Sequence, residues 1–183
     1  MNPRRFALSA ALVAVVAVPV LLPQAALAST RSSAVACPST AGASTATTAS
    51  YRFILRAGMP EKMYTPAQVK AMHPKTGEMM VAGTMMSAMA MGTTGVMRHL
   101  EVQICSLATG ELITDAKPTI TMSGGMGVMA RPVPFAMMRG VKAGMSDMHY
   151  GNNVKMQLGQ KMTFKVTLNG ETAVLTVQMP MHS

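Results

Sequence analysis

Met97-Arg98-His99-Leu100-Glu101-Val102 sets three donor side chains at alternate positions. Residues two apart on a strand share a face. Met97, His99 and Glu101 would therefore project together, while Leu100, Val102 and Ile104 point into a core. A thioether, an imidazole and a carboxylate in one row can hold a metal ion. Thioethers suit soft ions, Cu(I) above all, and imidazole suits copper and iron alike. The same spacing fits an ordinary solvated outer face, which carries polar residues by default.

A second cluster runs Met145-Ser146-Asp147-Met148-His149-Tyr150-Gly151-Asn152-Asn153-Val154. Gly144 and Gly151 predict a loop between strands, and loops carry sites more often than strand interiors do. His149 could ligate there, with Asp147 orienting its ring from behind. The competing account is a turn held by Asx hydrogen bonds. All four histidines (73, 99, 149 and 182) have a methionine within two residues, but with 22 methionines in 183 residues coincidence is a fair explanation. Met79, Met80, Met85, Met86, Met89, Met91 and Met97 crowd one stretch. Its glycine-containing part, 83–96, reads as a loop feeding into His99, placed either to cover or load a metal or to lie as an apolar flap. Elsewhere methionine can simply replace leucine as a flexible core filler.

The elements that would position these residues are mostly strands. Tyr51–Leu55 and Glu78–Ala82 are predicted strands, as is the alternation through Leu100, Val102 and Ile104. Thr109-Gly110 turns the chain back toward Leu112-Ile113-Thr114. Pro118–Met122, Val133–Met138, Phe164–Leu168 and Thr172–Val177 complete the set, and Asn169-Gly170 between the last two is a strong hairpin signal. One short helix is expected: Thr65 as N-cap, Pro66 in the first turn, Gln68 closing a capping box, and an end by His73 before Pro74. About seven short strands with frequent turns predict an antiparallel β-sandwich.

The N-terminus reads as an export signal over residues 1–28. Arg4 and Arg5 precede an apolar run from Phe6 to Leu22, and Ala26-Leu27-Ala28 offers a small-x-small cleavage pattern before Ser29. Pro19, Pro23 and the short apolar length argue against a retained transmembrane helix. Residues 29–50, rich in Ser, Thr and Ala, are expected to form a flexible linker, because they cannot bury enough surface to offset ordering. The folded domain is expected over 51–183. Loss of the two signal arginines lowers the net charge from +9 to +7. Scattered basic residues and 4% aromatics speak against nucleic acid as a partner. The expected location is outside the cytoplasm, secreted or in the cell envelope. There Cys37 and Cys105, the two cysteines, would form a disulfide, against the alternative of Cys105 as a buried thiol or metal ligand.

His99-Leu100-Glu101 opening a strand, with His149-Tyr150-Gly151-Asn152-Asn153-Val154-Lys155-Met156 about fifty residues later, resembles the exported copper- and iron-binding proteins of bacterial high-affinity iron uptake. The resemblance covers roughly residues 97–168. It implies an immunoglobulin-like β-sandwich, a homodimer and a membrane iron permease as partner. By position, His99 and His149 would bind copper and Glu101 would belong to a neighbouring iron site. The family's ligand methionine falls on Lys142 here, so Met145, or Met137 and Met138 across a four-residue insertion, would have to replace it. The family's further histidine lies in an excursion that this chain replaces with the tight Asn169-Gly170 turn, leaving His182 as the candidate if the tail folds back.

Catalysis has little support, with no nucleophile elbow, paired carboxylates or HExxH motif, so a non-enzyme is expected. The chain reads as an exported protein capturing copper, with or without iron. The alternatives are a structural envelope module packed with methionine, or a carrier of small apolar molecules in a methionine-lined groove.

Overall fold

Phe53, Leu55, Leu100, Val102 and Ile104 stand at alternating positions of two neighbouring strands, and all are buried on one side of a sheet. The computed structural model describes residues 34–82, 95–124 and 129–181. Its strands are β1 (Ser44–Thr47), β2 (Tyr51–Gly58), β3 (Met63–Tyr64), β4 (Glu78–Ala82), β5 (Val96–Ser106), β6 (Thr119–Gly124), β7 (Arg131–Pro132), β8 (Ala136–Gly140), β9 (His149–Met156), β10 (Lys161–Leu168) and β11 (Glu171–Gln178). One helix, α1 (Pro66–Met72), and a 3-10 turn at Met145–Asp147 complete the described elements. A seven-stranded sheet in the order β1-β2-β5-β9-β8-β4-β3 faces a four-stranded sheet ordered β11-β10-β6-β7. The fold is an all-β sandwich with more strands than the seven expected, the extra ones being the short β1, β3 and β7.

The core lies between the sheets. Phe53, Leu100, Val102, Tyr150 and Val154 from the larger sheet meet Ile120, Met122, Phe164, Val166 and Leu175 from the smaller. Burying each large apolar side chain contributes about 1.5–3 kcal/mol. Methionine serves here as core material: Met122, Met137, Met148, Met156, Met162 and Met179 are all buried in this cluster. Packing therefore accounts for part of the methionine content, while Met59, Met72, Met129, Met145 and Met181 are exposed.

Local signals behave as their chemistry dictates. Thr65 caps α1 with the reciprocal Gln68 bond of a capping box, and the chain leaves the helix at His73 in the left-handed region. Asn169 and Gly170 both take positive φ, the two-residue turn that joins β10 to β11. Cys37 and Cys105 are joined in a disulfide with Cα atoms 5.8 Å apart.

Three expectations change. The expected linker holds β1, which pairs with β2 from Ser44↔Leu55 to Thr47↔Arg52. A polar strand needs no core of its own when it adds to a formed edge, and the disulfide pins the chain just upstream. The return after Thr109-Gly110 is a single bridge, Cys105↔Leu112, because residues 35–37 take the next pairings: Leu112 N–H donates to Val35 and Ala36 bridges Glu111. Finally, His149 opens strand β9 and does not sit in a loop; only Met145–Asp147 before it turns.

One connection matters for the site. The chain leaves β2, second from one edge of the large sheet, and reaches β3 at the opposite edge. Residues 59–62 make that crossing on the face away from the core, as their bonds to β9 show below.

Candidate metal centre

The outer face of the large sheet is built by register. His99 pairs with Asn153 and Glu101 with Gly151 across β5 and β9. His149 pairs with Met138 across β9 and β8, and Met138 with Met80 across β8 and β4. Directly opposed residues share a face, as do residues two apart. His99, Glu101, His149, Gly151, Asn153, Met138, Met80 and Glu78 thus all lie on the side opposite the core. That face is not solvated where the crossing segment covers it: His99 is 0% exposed, His149 2% and Glu78 8%.

Glu78, His99 and His149 each present a ligand atom within 4.8 Å of the others. His99 Nε2 and His149 Nε2 are 3.4 Å apart, and Glu78 Oε2 lies 3.7 Å from His149 Nε2. The rings meet edge to face at 5.6 Å between centroids.

Hydrogen bonding decides where the ring protons sit. Asn153 Nδ2 donates to the Glu61 carbonyl at 2.6 Å, so the other amide atom is the oxygen. That oxygen lies 3.1 Å from His99 Nδ1, which must carry the proton and donate. His149 Nδ1 lies 2.7 Å from the Asp147 carbonyl oxygen, again an acceptor, so it too must donate. In neutral imidazoles both Nε2 atoms are then bare lone pairs aimed at each other. Glu78 Oε2 is a third buried acceptor, with no hydrogen-bond partner. With Glu78 ionised, three acceptors converge with no donor among them. A cation is what that geometry lacks, and rings anchored through Nδ1–H to an oxygen are the usual form of metal-bound histidine.

The electrostatics agree. Burial pushes the Glu78 carboxyl up to about 7, helped by the nearby carboxylates of Asp147, Glu101 and Glu61. Those four are a majority of the seven acidic residues of a chain with net charge +9. Burial, then the His149 ring, lowers His99 to about 4, against the favourable bond to Asn153. His99 is therefore neutral and able to ligate near pH 7. Gly151 is what lets both rings come this close to the strand: a Cβ there would sit 3.0 Å from His99 Nε2 and 3.1 Å from His149 Nε2.

The structure brings together His99 and His149 from the expected residues. Glu101 shares their face but lies outside the converging trio. Met97 is half-buried on that face, opposite Lys155. Met138 is buried beside His149, in a small cluster with Met80 and Ala136. Met137 points the other way into the sandwich core, because adjacent strand residues alternate, and cannot serve His149. Met145 is 50% exposed on the turn before β9. Asp147 does orient His149, but through its backbone carbonyl; its carboxylate accepts from Gly140 N–H at 2.7 Å. His182, the expected signal segment 1–28 and methionines 85, 86, 89 and 91 lie outside the described residues. Cys105 is committed to its disulfide, which removes it as a ligand.

Sequence reasoning missed Glu78 and Asn153. Glu78 carried one usable sign: it is a lone carboxylate opening an apolar strand, Met79-Met80-Val81, in a chain poor in acids. Asn153 carried none beyond its place four residues after His149. Compared with protein-family models, curated proteins and solved structures, the chain matches none of them.

Proposed function

We propose that this is an exported, non-catalytic protein that captures copper between Glu78, His99 and His149, for uptake or for protection of the cell envelope. The observation that carries the reading is the meeting of two Nε2 lone pairs and an unpartnered carboxylate oxygen at one buried point. Among divalent first-row ions, a nitrogen-rich site binds copper most strongly, and Met138 beside His149 offers a soft donor for Cu(I). Glu101 on the same face extends the carboxylate side toward iron. The resemblance to exported copper- and iron-binding proteins supports an immunoglobulin-like topology, a homodimer and a membrane iron permease as partner. The disulfide and the basic-then-apolar N-terminus support export.

A second reading, a structural envelope module without metal, draws on the buried methionines, which packing explains without any ligand role. It leaves Glu78 buried beside two lone pairs for no return.

Metal analysis of the purified protein, wild type against His99→Ala/His149→Ala, separates the two. Copper should bind near one equivalent in wild type and be largely lost in the double variant. Equal copper content in both would remove the site. Glu101→Ala should lose less, and mainly in iron-loaded samples.

A further inference from the structure

The segment that buries the metal pocket is fastened by the same side chain that aims one of its ligands. Residues 59–62 cross the outer face between β2 and β3. At the start of the crossing, Gly58 is the register partner of His99. At its end, the Lys62 carbonyl accepts from the Glu78 backbone N–H at 2.7 Å. Midway, Glu61 is gripped through its backbone by Asn153: the Glu61 N–H donates to Asn153 Oδ1 at 3.1 Å, and its carbonyl accepts from Asn153 Nδ2. The same Oδ1 accepts from His99 Nδ1. One amide group therefore closes the strap and sets the His99 ring.

We infer that Asn153 is a positioning residue that couples the ion to the strap, so that release of the ion and lifting of residues 59–62 are a single event. The inference rests on the metal-binding reading above. An ion on His99 Nε2 draws electron density from the ring and makes Nδ1–H a stronger donor, which strengthens the network through Oδ1. It also stops the ring from turning, so Asn153 keeps its grip on Glu61. The ligands are buried and Glu61 is held against Asn153 beside them, so lifting residues 59–62 would open a way to solvent. Coupling of this kind is reciprocal: whatever loosens the strap weakens the ion's hold by the same factor.

The test uses the full exported chain loaded with Cu(II), and separately with Zn(II) as a redox-silent probe. Transfer of the ion to an excess of chelator is followed by stopped flow. Asn153→Ala should release either ion roughly ten- to a hundredfold faster than wild type, the usual effect of removing a partner behind a ligand histidine. A purely structural role would not move the second readout, amide hydrogen exchange at Glu61. In wild type, adding either ion should slow Glu61 exchange by about tenfold or more, given a coupling of 5- to 150-fold between linked sites. In Asn153→Ala it should be fast and indifferent to metal, while β5 amides keep wild-type protection. Should the variant not fold, the wild-type exchange comparison decides alone. Release at the wild-type rate from a variant with intact β5 protection overturns the inference, as does Glu61 exchange in wild type that ignores bound metal. Both outcomes leave the metal site standing; a wild type that takes up neither ion overturns the site itself.

Discussion

Two imidazoles whose Nδ1–H groups are both committed to oxygen acceptors have nothing to offer each other at Nε2. A Cβ on Gly151 would meet both rings at 3.0–3.1 Å, so Gly151→Ala should push the two Nε2 atoms aside by a few tenths of an ångström and weaken the ion's hold. Isothermal titration should show at least about a tenfold loss of copper affinity, and unchanged affinity would mean that the ion binds elsewhere. Protons report on the same group. Glu78 is raised in the folded state, so its contribution to metal-free stability is complete below its ordinary 4.5 and declines as pH rises through about 7. His99 is lowered, so its contribution is lost in the opposite sense, as pH falls from 6.5 through about 4. The two slopes oppose each other in wild type. Glu78→Gln removes one of them, so its urea midpoint should gain on wild type between about pH 4.5 and 7 and then hold a constant lead. A gap that does not change with pH would mean that Glu78 is not held in its protonated form by the fold.

Strand β5 and helix α1 show what a local pattern conveys. The alternation of Leu100, Val102 and Ile104 with His99 and Glu101 places each on its correct face. The Thr65, Pro66 and Gln68 triplet defines a helix start, realised as a full capping box. Since α1 buries none of its residues, the cap supplies much of what holds it. Thr65→Ala should cost about 1 kcal/mol in chemical denaturation, with metal content unchanged; a loss of metal would show that α1 helps shape the pocket. Strand β9 shows the limit. Gly151 and Asp147 look like loop residues, yet Gly151 sits mid-strand because two histidine rings occupy the space its Cβ would need. Strand β1 was hidden for another reason: its Ser, Thr and Ala residues pair with an edge that other strands provide.

At the level of the molecule, the disulfide closes 68 residues of chain and anchors the segment before β1 to the central strand β5. In the chain-entropy account a loop of that length is worth about 4 kcal/mol. Reduction, or Cys37→Ser/Cys105→Ser, should lower the thermal midpoint markedly, with hydrogen exchange rising first around β1 and residues 34–37. A midpoint indifferent to reductant would mean that the sandwich stands without the link. In a chain of net charge +9, three of the seven carboxylates, those of Asp147, Glu101 and Glu61, act on a fourth at Glu78.

The apolar alternation, the capped helix and the Asn-Gly hairpin could all be read along the chain, since each depends on neighbours a few residues away. In the sequence, His99 and His149 are paired only through the resemblance. Glu78 as the third acceptor, Asn153 as the clasp and the burial of a face that looked solvated could not be read there. They follow from the order β5-β9-β8-β4 and from a crossing that takes the chain between opposite edges of the sheet. Strand order and register are long-range pairings, set by the packing of the whole sandwich, and no short stretch of residues carries them.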